Sequence, residues 1–151
     1  MTNCSQDDST SAKCDLFAEI VRTFGESRLR VTGSSMLPSV QPGDILTIRR
    51  KSLAELAVGQ IVLMHRNGGL VSHRVVGKRE GHLITRGDSL PYLDPPAPEN
   101  EVLGEVVSIV REGRSFDPNP GWLCRLGAWI LRQSRFSMRV FLRLRRAAWA
   151  S

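Results

Sequence analysis

Three stretches of the sequence hold the side chain types that serine-based catalysis needs. A Ser-Ser pair lies at 34–35, a histidine lies at position 73, and carboxylates follow at Asp88 and Asp94. A serine hydroxyl is a weak nucleophile unless a base accepts its proton, and a neutral imidazole needs a further group to hold its tautomer and stabilise its charge. Serine, histidine and carboxylate are therefore the smallest set that can attack a carbonyl in this way.

Each stretch also has a plain structural interpretation when it is taken alone. The Ser-Ser pair before Met-Leu-Pro at 36–38 suits a turn, and Gly-Asp pairs such as those at 43–44 and 87–88 often mark turns. One histidine among three, the others being His65 and His82, is more often a strand residue than a base. Catalysis is therefore predicted only if neighbouring elements bring the three stretches together.

Six segments have the pattern of β-strands and supply such elements. They alternate or run apolar, are rich in Val and Ile, and are separated by Pro-Gly, Asn-Gly-Gly and Glu-Gly turns. The segments are 28–33, 45–50, 60–66, 70–77, 82–87 and 101–110. A hairpin around Asn67-Gly68-Gly69 is expected to return His73 alongside the preceding strand. The fold class predicted from these patterns is mainly β.

The N-terminal residues predict a polar tail over 1–12 and then a helix capped by Asp15 and ended by Gly25. One stripe of this helix is expected to hold Leu16, Phe17, Ile20, Val21 and Phe24. A Pro-rich stretch at 116–122 marks a boundary. The chain is thus divided into an N-terminal tail and helix (1–27), a β domain (28–115), and a boundary loop with a C-terminal helical segment (116–151).

The C-terminal segment carries the positive charge of the chain. Seven of the 21 Lys and Arg residues lie in 122–151, which has no Asp or Glu. The spacing predicts a basic amphipathic helix whose faces include Trp122, Trp129, Arg125, Arg132 and Arg139. Either its apolar face packs on the β domain, or the helix lies in anionic lipid headgroups. Nucleic acid is a third possibility, because a basic stripe alone does not distinguish its phosphates from those of lipids, and it ranks below the membrane.

Other features of the composition exclude several classes of protein. A length of 151 residues suits one domain with a core. The three cysteines have no metal-type spacing, so we predict free thiols and no metal or cofactor site. The N-terminus lacks the basic start and apolar run of a secretory signal, and no stretch is long and apolar enough to span a bilayer. A cytoplasmic or peripheral membrane location is expected.

Residues from about 28 to 111 resemble the catalytic domain of the type I signal peptidase family, whose serine peptidases share a fold with LexA-type self-cleaving repressors. Ser-Met-Leu-Pro at 35–38, Gly-Asp at 43–44, His-Arg-Val-Val at 73–76 and Gly-Asp-Ser at 87–89 occur in the family's order. Typical bacterial members have a lysine before Arg-Val-Val. This chain has His73 there and in that respect is similar to the endoplasmic-reticulum and archaeal branch.

The resemblance implies a role for each matching residue. Ser35 would be the nucleophile and its backbone N–H the oxyanion donor, with His73 as general base. Asp94 would be the acidic partner, and Asp88 a structural or alternative acid. Several relatives have a hydroxyl residue two positions before the nucleophile, where this chain has Gly33. Another group should compensate for that missing donor.

The family also suggests how a substrate would bind. Its members favour small, uncharged residues one and three positions before the cleaved bond and hold the peptide as an extended strand. Met36, Leu37 and Pro38 are expected near the pockets for these residues. The family's N-terminal membrane span has no counterpart in this sequence, so the basic segment 122–151 is a candidate substitute that would bring the site to the membrane surface.

Three rival catalytic residues can be weighed on chemistry. Lys78 lies five positions after His73 and would face the other side of a straight strand. Lys51 adjoins two arginines and is expected to be solvated, whereas a catalytic lysine needs burial. Ser34 adjoins Ser35 but lacks the following Met of the motif, so it is interpreted as part of the turn.

The leading interpretation is a serine endopeptidase of signal-peptidase type that cleaves a precursor protein or leader peptide after small residues. A LexA-like self-processing regulator is an alternative, although about 27 residues before the β region are too few for the helix-turn-helix domain of such repressors. A further alternative is a catalytically inactive domain that binds peptides or the membrane surface.

Overall fold

One helix and eight strands form the part of the chain that the computed structural model describes, residues 4–118. The helix α1 spans Cys4–Phe24, and a 3₁₀ turn spans Glu99–Glu101. The strands are β1 (Glu26–Arg30), β2 (Ile45–Arg49), β3 (Ile61–Arg66), β4 (Gly69–Arg79), β5 (His82–Arg86), β6 (Ala97–Pro98), β7 (Val102–Arg111) and β8 (Arg114–Phe116). This architecture confirms the mainly β fold class.

The hairpins follow directly from the local sequence. The two residues that join β3 to β4, Asn67 and Gly68, both have positive φ, as the two-residue turns that match strand twist require. The β4–β5 and β7–β8 hairpins use Glu-Gly pairs in the same way. The predicted return of His73 alongside the preceding strand is confirmed, because His73 is in register with Val62.

The sheet is antiparallel, and its strand order is β1-β2-β7-β3-β4-β5-β6, with β8 paired to β7. The late strand β7 thus lies between β2 and β3 and pairs with both. A register shift in β4 between Val75 and Gly77 inserts an extra residue opposite β5. Such a bulge reverses the faces of the residues that follow it.

Buried side chains form a core on each face of the sheet. One core joins Ala18 and Val21 of α1 to alternate residues of the sheet, including Ile61 and Leu63 of β3. The second core holds the intervening β3 residues Val62 and Met64, as expected from alternation along a strand. The first four residues of β3, 61–64, are all apolar because both faces of the strand are covered there.

The N-terminal prediction was wrong in two respects. The helix begins at Cys4, so Asp15 lies within it rather than at its cap, and residues 4–12 are helical. The Asp15 carboxylate instead lies 2.9 Å from Nε2 of His65 on β3. Leu16 and Phe24 are 63% and 76% exposed, so they do not belong to the buried stripe that includes Val21. The predicted end at Gly25 is confirmed, with φ of 77°.

The basic segment 122–151, with its predicted tryptophan and arginine faces, lies outside the described residues. Its contact with a membrane or with the β domain stays a prediction, as do the domain boundaries. Among residues 4–118, no helix combines the length and the apolarity that a bilayer crossing requires.

Candidate active site

Ser35 begins a tight turn between β1 and β2. The Leu37 N–H donates to the Ser34 carbonyl at 3.2 Å, and the Val40 N–H donates to the Met36 carbonyl at 3.0 Å. Met36 and Val40 are both buried in the core that α1 covers. Apolar packing of Met36 and Val40 therefore fixes the turn on its core side, while Ser35 itself is only half-buried.

A buried ion pair holds the end of the same loop. Asp44 is 1% exposed and accepts two hydrogen bonds from the Arg111 guanidinium, at 2.8 and 2.7 Å. The Gln41 N–H donates to the same carboxylate at 2.7 Å. Since bidentate arginine–carboxylate pairs have a defined geometry, this contact ties the loop after Ser35 to the end of β7.

His73 lies in the middle of β4 on the face that carries Val62 and Val75. Its imidazole Nε2 is 3.0 Å from the Ser35 hydroxyl oxygen, and its Nδ1 is 2.6 Å from Oδ2 of Asp94. The His73 and Asp94 side chains are 7% and 13% exposed. The structure therefore brings the three residues into one hydrogen-bonded chain that is largely shielded from water.

The role of each ring nitrogen follows from these contacts. A carboxylate only accepts hydrogen bonds, so His73 Nδ1 carries the proton in the neutral imidazole. Nε2 is then the acceptor facing the Ser35 hydroxyl. This is the tautomer that a general base needs in order to remove the serine proton.

Thr85 holds the Asp94 carboxylate in place. Its hydroxyl donates to Oδ2 of Asp94 at 2.7 Å, and its carbonyl accepts the Asp94 N–H at 2.9 Å. Thr85 is fully buried on β5, in register with Val75. Two donors, the threonine hydroxyl and the imidazole, thus converge on one carboxylate oxygen and restrict its rotation.

Asp88 has different partners from Asp94. It accepts two hydrogen bonds from the Arg74 guanidinium, at 2.8 and 2.7 Å, and one from the Ser39 hydroxyl at 2.6 Å. Arg74 also donates to the Gly59 carbonyl at 2.6 Å. Arg74 follows His73 in β4 and lies on the opposite face of the strand. Because its guanidinium binds both oxygens of Asp88, the contacts of Asp88 favour the structural role of the two that were open to it.

The Gly-Asp-Ser stretch also touches the nucleophile turn. The Ser89 N–H donates to the Ser35 carbonyl at 3.0 Å, and the Ser89 hydroxyl lies 2.9 Å from the same oxygen and 3.2 Å from the Ser34 carbonyl. A Cβ on Gly87 would lie 2.6 Å from the Ser35 carbonyl oxygen, closer than a Cβ atom can approach a non-bonded oxygen. Glycine at 87 is therefore required for this close contact.

The residues predicted to contact substrate are placed less favourably. Met36 and Leu37 are 3% and 0% exposed, and Met36 belongs to the hydrophobic core. Both side chains point into the protein and anchor the turn, so they present little surface to a peptide, and their expected place near the substrate pockets stays a prediction. Pro38 is half-buried.

The two rival lysines have partners other than Ser35 in the described structure. The opposite orientation expected for a straight strand does not apply to Lys78, because the bulge puts it on the same strand face as His73. Its amine instead donates to the carbonyls of Leu53 and Ala54. Lys51 is paired with Glu105 at 2.6 Å rather than simply solvated. Among residues 4–118, no group of acidic, histidine or cysteine side chains is arranged to hold a metal ion.

Sequence reasoning missed two polar residues around the site. A weak sequence signal marks Thr85. It lies two positions after Leu83 on the same face of the strand, where an apolar residue would normally be buried. Ser89 lies within a motif that was recognised, but nothing in the sequence shows that its hydroxyl contacts the carbonyls of the nucleophile turn.

Comparison with known proteins agrees with the mainly β fold. A family model described as Peptidase S24-like matches residues 3–107, which is more than half of the chain. No curated protein is similar enough to count as a match. On the family match, together with the antiparallel β fold, the chain belongs to the Peptidase S24-like family.

Proposed function

We propose that this protein is a serine endopeptidase of signal-peptidase type that cleaves a precursor protein or leader peptide after small residues. The observation that carries the proposal is the chain of hydrogen bonds from Ser35 Oγ through His73 to Asp94, at 3.0 and 2.6 Å. The histidine in place of the usual bacterial lysine supports an affinity with the branch of the signal peptidases that uses a histidine base.

The reaction follows from the arrangement of these groups. Ser35 Oγ attacks the peptide carbonyl carbon while His73 Nε2 takes the hydroxyl proton, and the Asp94 carboxylate stabilises the imidazolium that forms. The tetrahedral intermediate collapses as the imidazolium gives its proton to the departing amine, which leaves an acyl group on Ser35. His73 Nε2 then takes a proton from water as its oxygen attacks the ester carbon. When this second tetrahedral intermediate collapses, the imidazolium returns the proton to Ser35 Oγ and the acyl group leaves as a carboxylic acid.

The backbone N–H of Ser35 is the proposed donor to the oxyanion. In the described part of the chain this N–H donates to no protein acceptor. It belongs to the same residue as the attacking oxygen, so it lies within reach of the carbonyl oxygen of a bound peptide. A preorganised donor of this kind is worth about 10²–10³ in rate.

The proposed activity is tested with peptides that carry Ala one and three positions before a single scissile bond. We expect the full-length protein to cleave this bond and to leave a matched peptide with Lys at both positions intact, as seen by mass spectrometry of the products. Failure to cleave any such peptide would contradict the proposal. Shortening of the protein itself on ageing, without peptide cleavage, would favour self-processing instead.

Gly33 offers a gain-of-function test of the oxyanion site. It is exposed, its φ lies outside the left-handed region, and a Cβ there would meet nothing within 4 Å. Gly33→Ser should therefore be accommodated and supply a second donor, which we expect to raise kcat by about 10-fold. Gly33→Ala is the matched control, because it changes the backbone in the same way without a hydroxyl. Equal rates for the two variants would rule out this role for position 33.

A further inference from the structure

Ser89 contacts the backbone of the nucleophile turn through both its main chain and its side chain. It is 5% exposed, and its hydroxyl proton is shared between the carbonyls of Ser34 and Ser35 at 3.2 and 2.9 Å. The Ser89 N–H donates to the Ser35 carbonyl as well, at 3.0 Å. None of these atoms takes part in the proton transfers of the proposed reaction, so the contacts need another explanation.

The direction of the Ser34 carbonyl determines the direction of the Ser35 N–H. The peptide bond between them is trans, since the one cis bond among the described residues is Leu37-Pro38. In a planar trans peptide the N–H points away from the carbonyl oxygen. The Ser34 oxygen is held by the Ser89 hydroxyl and by the Leu37 N–H, which lies 3.2 Å away. The Ser35 N–H is therefore fixed on the opposite side, where it has no protein acceptor.

We infer that Ser89 is a positioning residue that aims the Ser35 N–H at the oxyanion. This inference rests on the proposed function, because it assigns Ser89 a part in transition-state stabilisation by that same site. A donor that is already oriented needs no reorganisation when charge develops on the substrate oxygen. A turn that can rotate about this peptide would lose part of that benefit.

The rest of the Gly-Asp-Ser stretch supports this assignment. Gly87 lets the chain approach the Ser35 carbonyl, which a Cβ would obstruct at 2.6 Å. Asp88 is held by the Arg74 guanidinium at 2.7 Å, and the Leu90 N–H closes the turn on the Gly87 carbonyl at 3.0 Å. Ser89 is thus held against the nucleophile turn by the residues beside it, and the pair between Asp88 and Arg74 fixes those residues to β4, the strand that carries His73.

The test compares Ser89→Ala with Ser89→Thr in the full-length protein. We expect Ser89→Ala to lower kcat by about 10- to 100-fold with KM unchanged, because an interaction made only in the transition state is weakened. Ser89→Thr keeps the hydroxyl and should restore most of the rate. Ser89→Cys, of similar size but a weak donor, should behave like the alanine variant. Ser108→Ala, at a hydroxyl paired with Ser115, is the matched control and should change nothing.

A second measurement separates positioning from a general loss of structure. A peptide aldehyde forms a hemiacetal with an oxyanion on the serine, whereas the cleaved product peptide does not. We expect Ser89→Ala to weaken aldehyde binding by the same factor as kcat and to leave product binding unchanged. Wild-type rates in Ser89→Ala, or equal weakening of both ligands, would overturn the inference alone. A wild-type protein that cleaves no peptide would overturn the proposed function and this inference together.

Discussion

Replacing Ser35 with alanine is expected to lower kcat/KM for a cleavable peptide by at least about 10⁴-fold, and replacing His73 with alanine should have a similar effect. Without the hydroxyl no acyl-enzyme can form, and without the imidazole the hydroxyl keeps its proton. The double variant should be no slower than either single variant, because the two groups act as a unit. The measurement is initial cleavage rate, with circular dichroism to show that the fold is retained.

Two matched controls make this prediction specific. Ser34→Ala removes the neighbouring hydroxyl, and His82→Ala removes an imidazole in the β4–β5 hairpin whose Nδ1 lies near the Glu80 carbonyl. Both variants should keep wild-type activity. Cleavage by Ser35→Ala at a rate near that of the wild type would refute the assignment of Ser35 as the nucleophile. If Ser34→Ala lost activity instead, the nucleophile would be Ser34.

Replacement by asparagine should affect activity at Asp94 and stability at Asp88. Asp94→Asn is expected to lower kcat by about 10⁴-fold, because the amide can donate to His73 Nδ1 and so favours the wrong tautomer of the imidazole. Asp88→Asn leaves the Arg74 charge uncompensated in a site where both side chains are at most 10% exposed. Breaking such a buried pair costs about 3–5 kcal/mol, which should lower Tm by about 10 °C or more.

The comparison of kcat and Tm in these two variants decides the triad acid. We expect Asp94→Asn to have the larger loss of activity and Asp88→Asn the larger loss of stability. Exchanging the charges of Arg74 and Asp88 is not a useful control, because Asp88 also accepts a hydrogen bond from the Ser39 hydroxyl at 2.6 Å. If Asp88→Asn were stable and inactive while Asp94→Asn stayed active, the acid would have to be Asp88.

The strands were predictable because their signal is local. Alternating apolar residues between Asn-Gly and Glu-Gly turns specify hairpins almost without reference to the rest of the chain, and the predicted segments agree with β2 to β5 and β7. The early start of α1 was not predictable from periodicity, since residues 4–14 are largely polar. The helix also makes a tertiary contact just after this stretch, the approach of Asp15 to His65, that no local pattern reveals.

The site was predictable in its residue types and less so in its details. Resemblance placed a serine, a histidine and two carboxylates in order and implied Asp94 as the acidic partner, but the pairing of Asp88 with Arg74 is visible only in the structure. The bulge between Val75 and Gly77 was invisible for the same reason, because it depends on the pairing of β4 with β5. Alternation alone therefore gave the wrong face for Lys78.

The position of β7 has a consequence for protein synthesis. Ser35 lies between β1 and β2, whereas His73 and Asp94 lie on β4 and after β5. Among the strands of residues 4–118, β7 alone pairs with strands of both groups. A nascent chain has made the three side chains of the proposed triad before β7 emerges, yet the sheet that unites them is not continuous. On the proposed function, peptidase activity should thus arise only after β7 has left the ribosome and paired with β2 and β3.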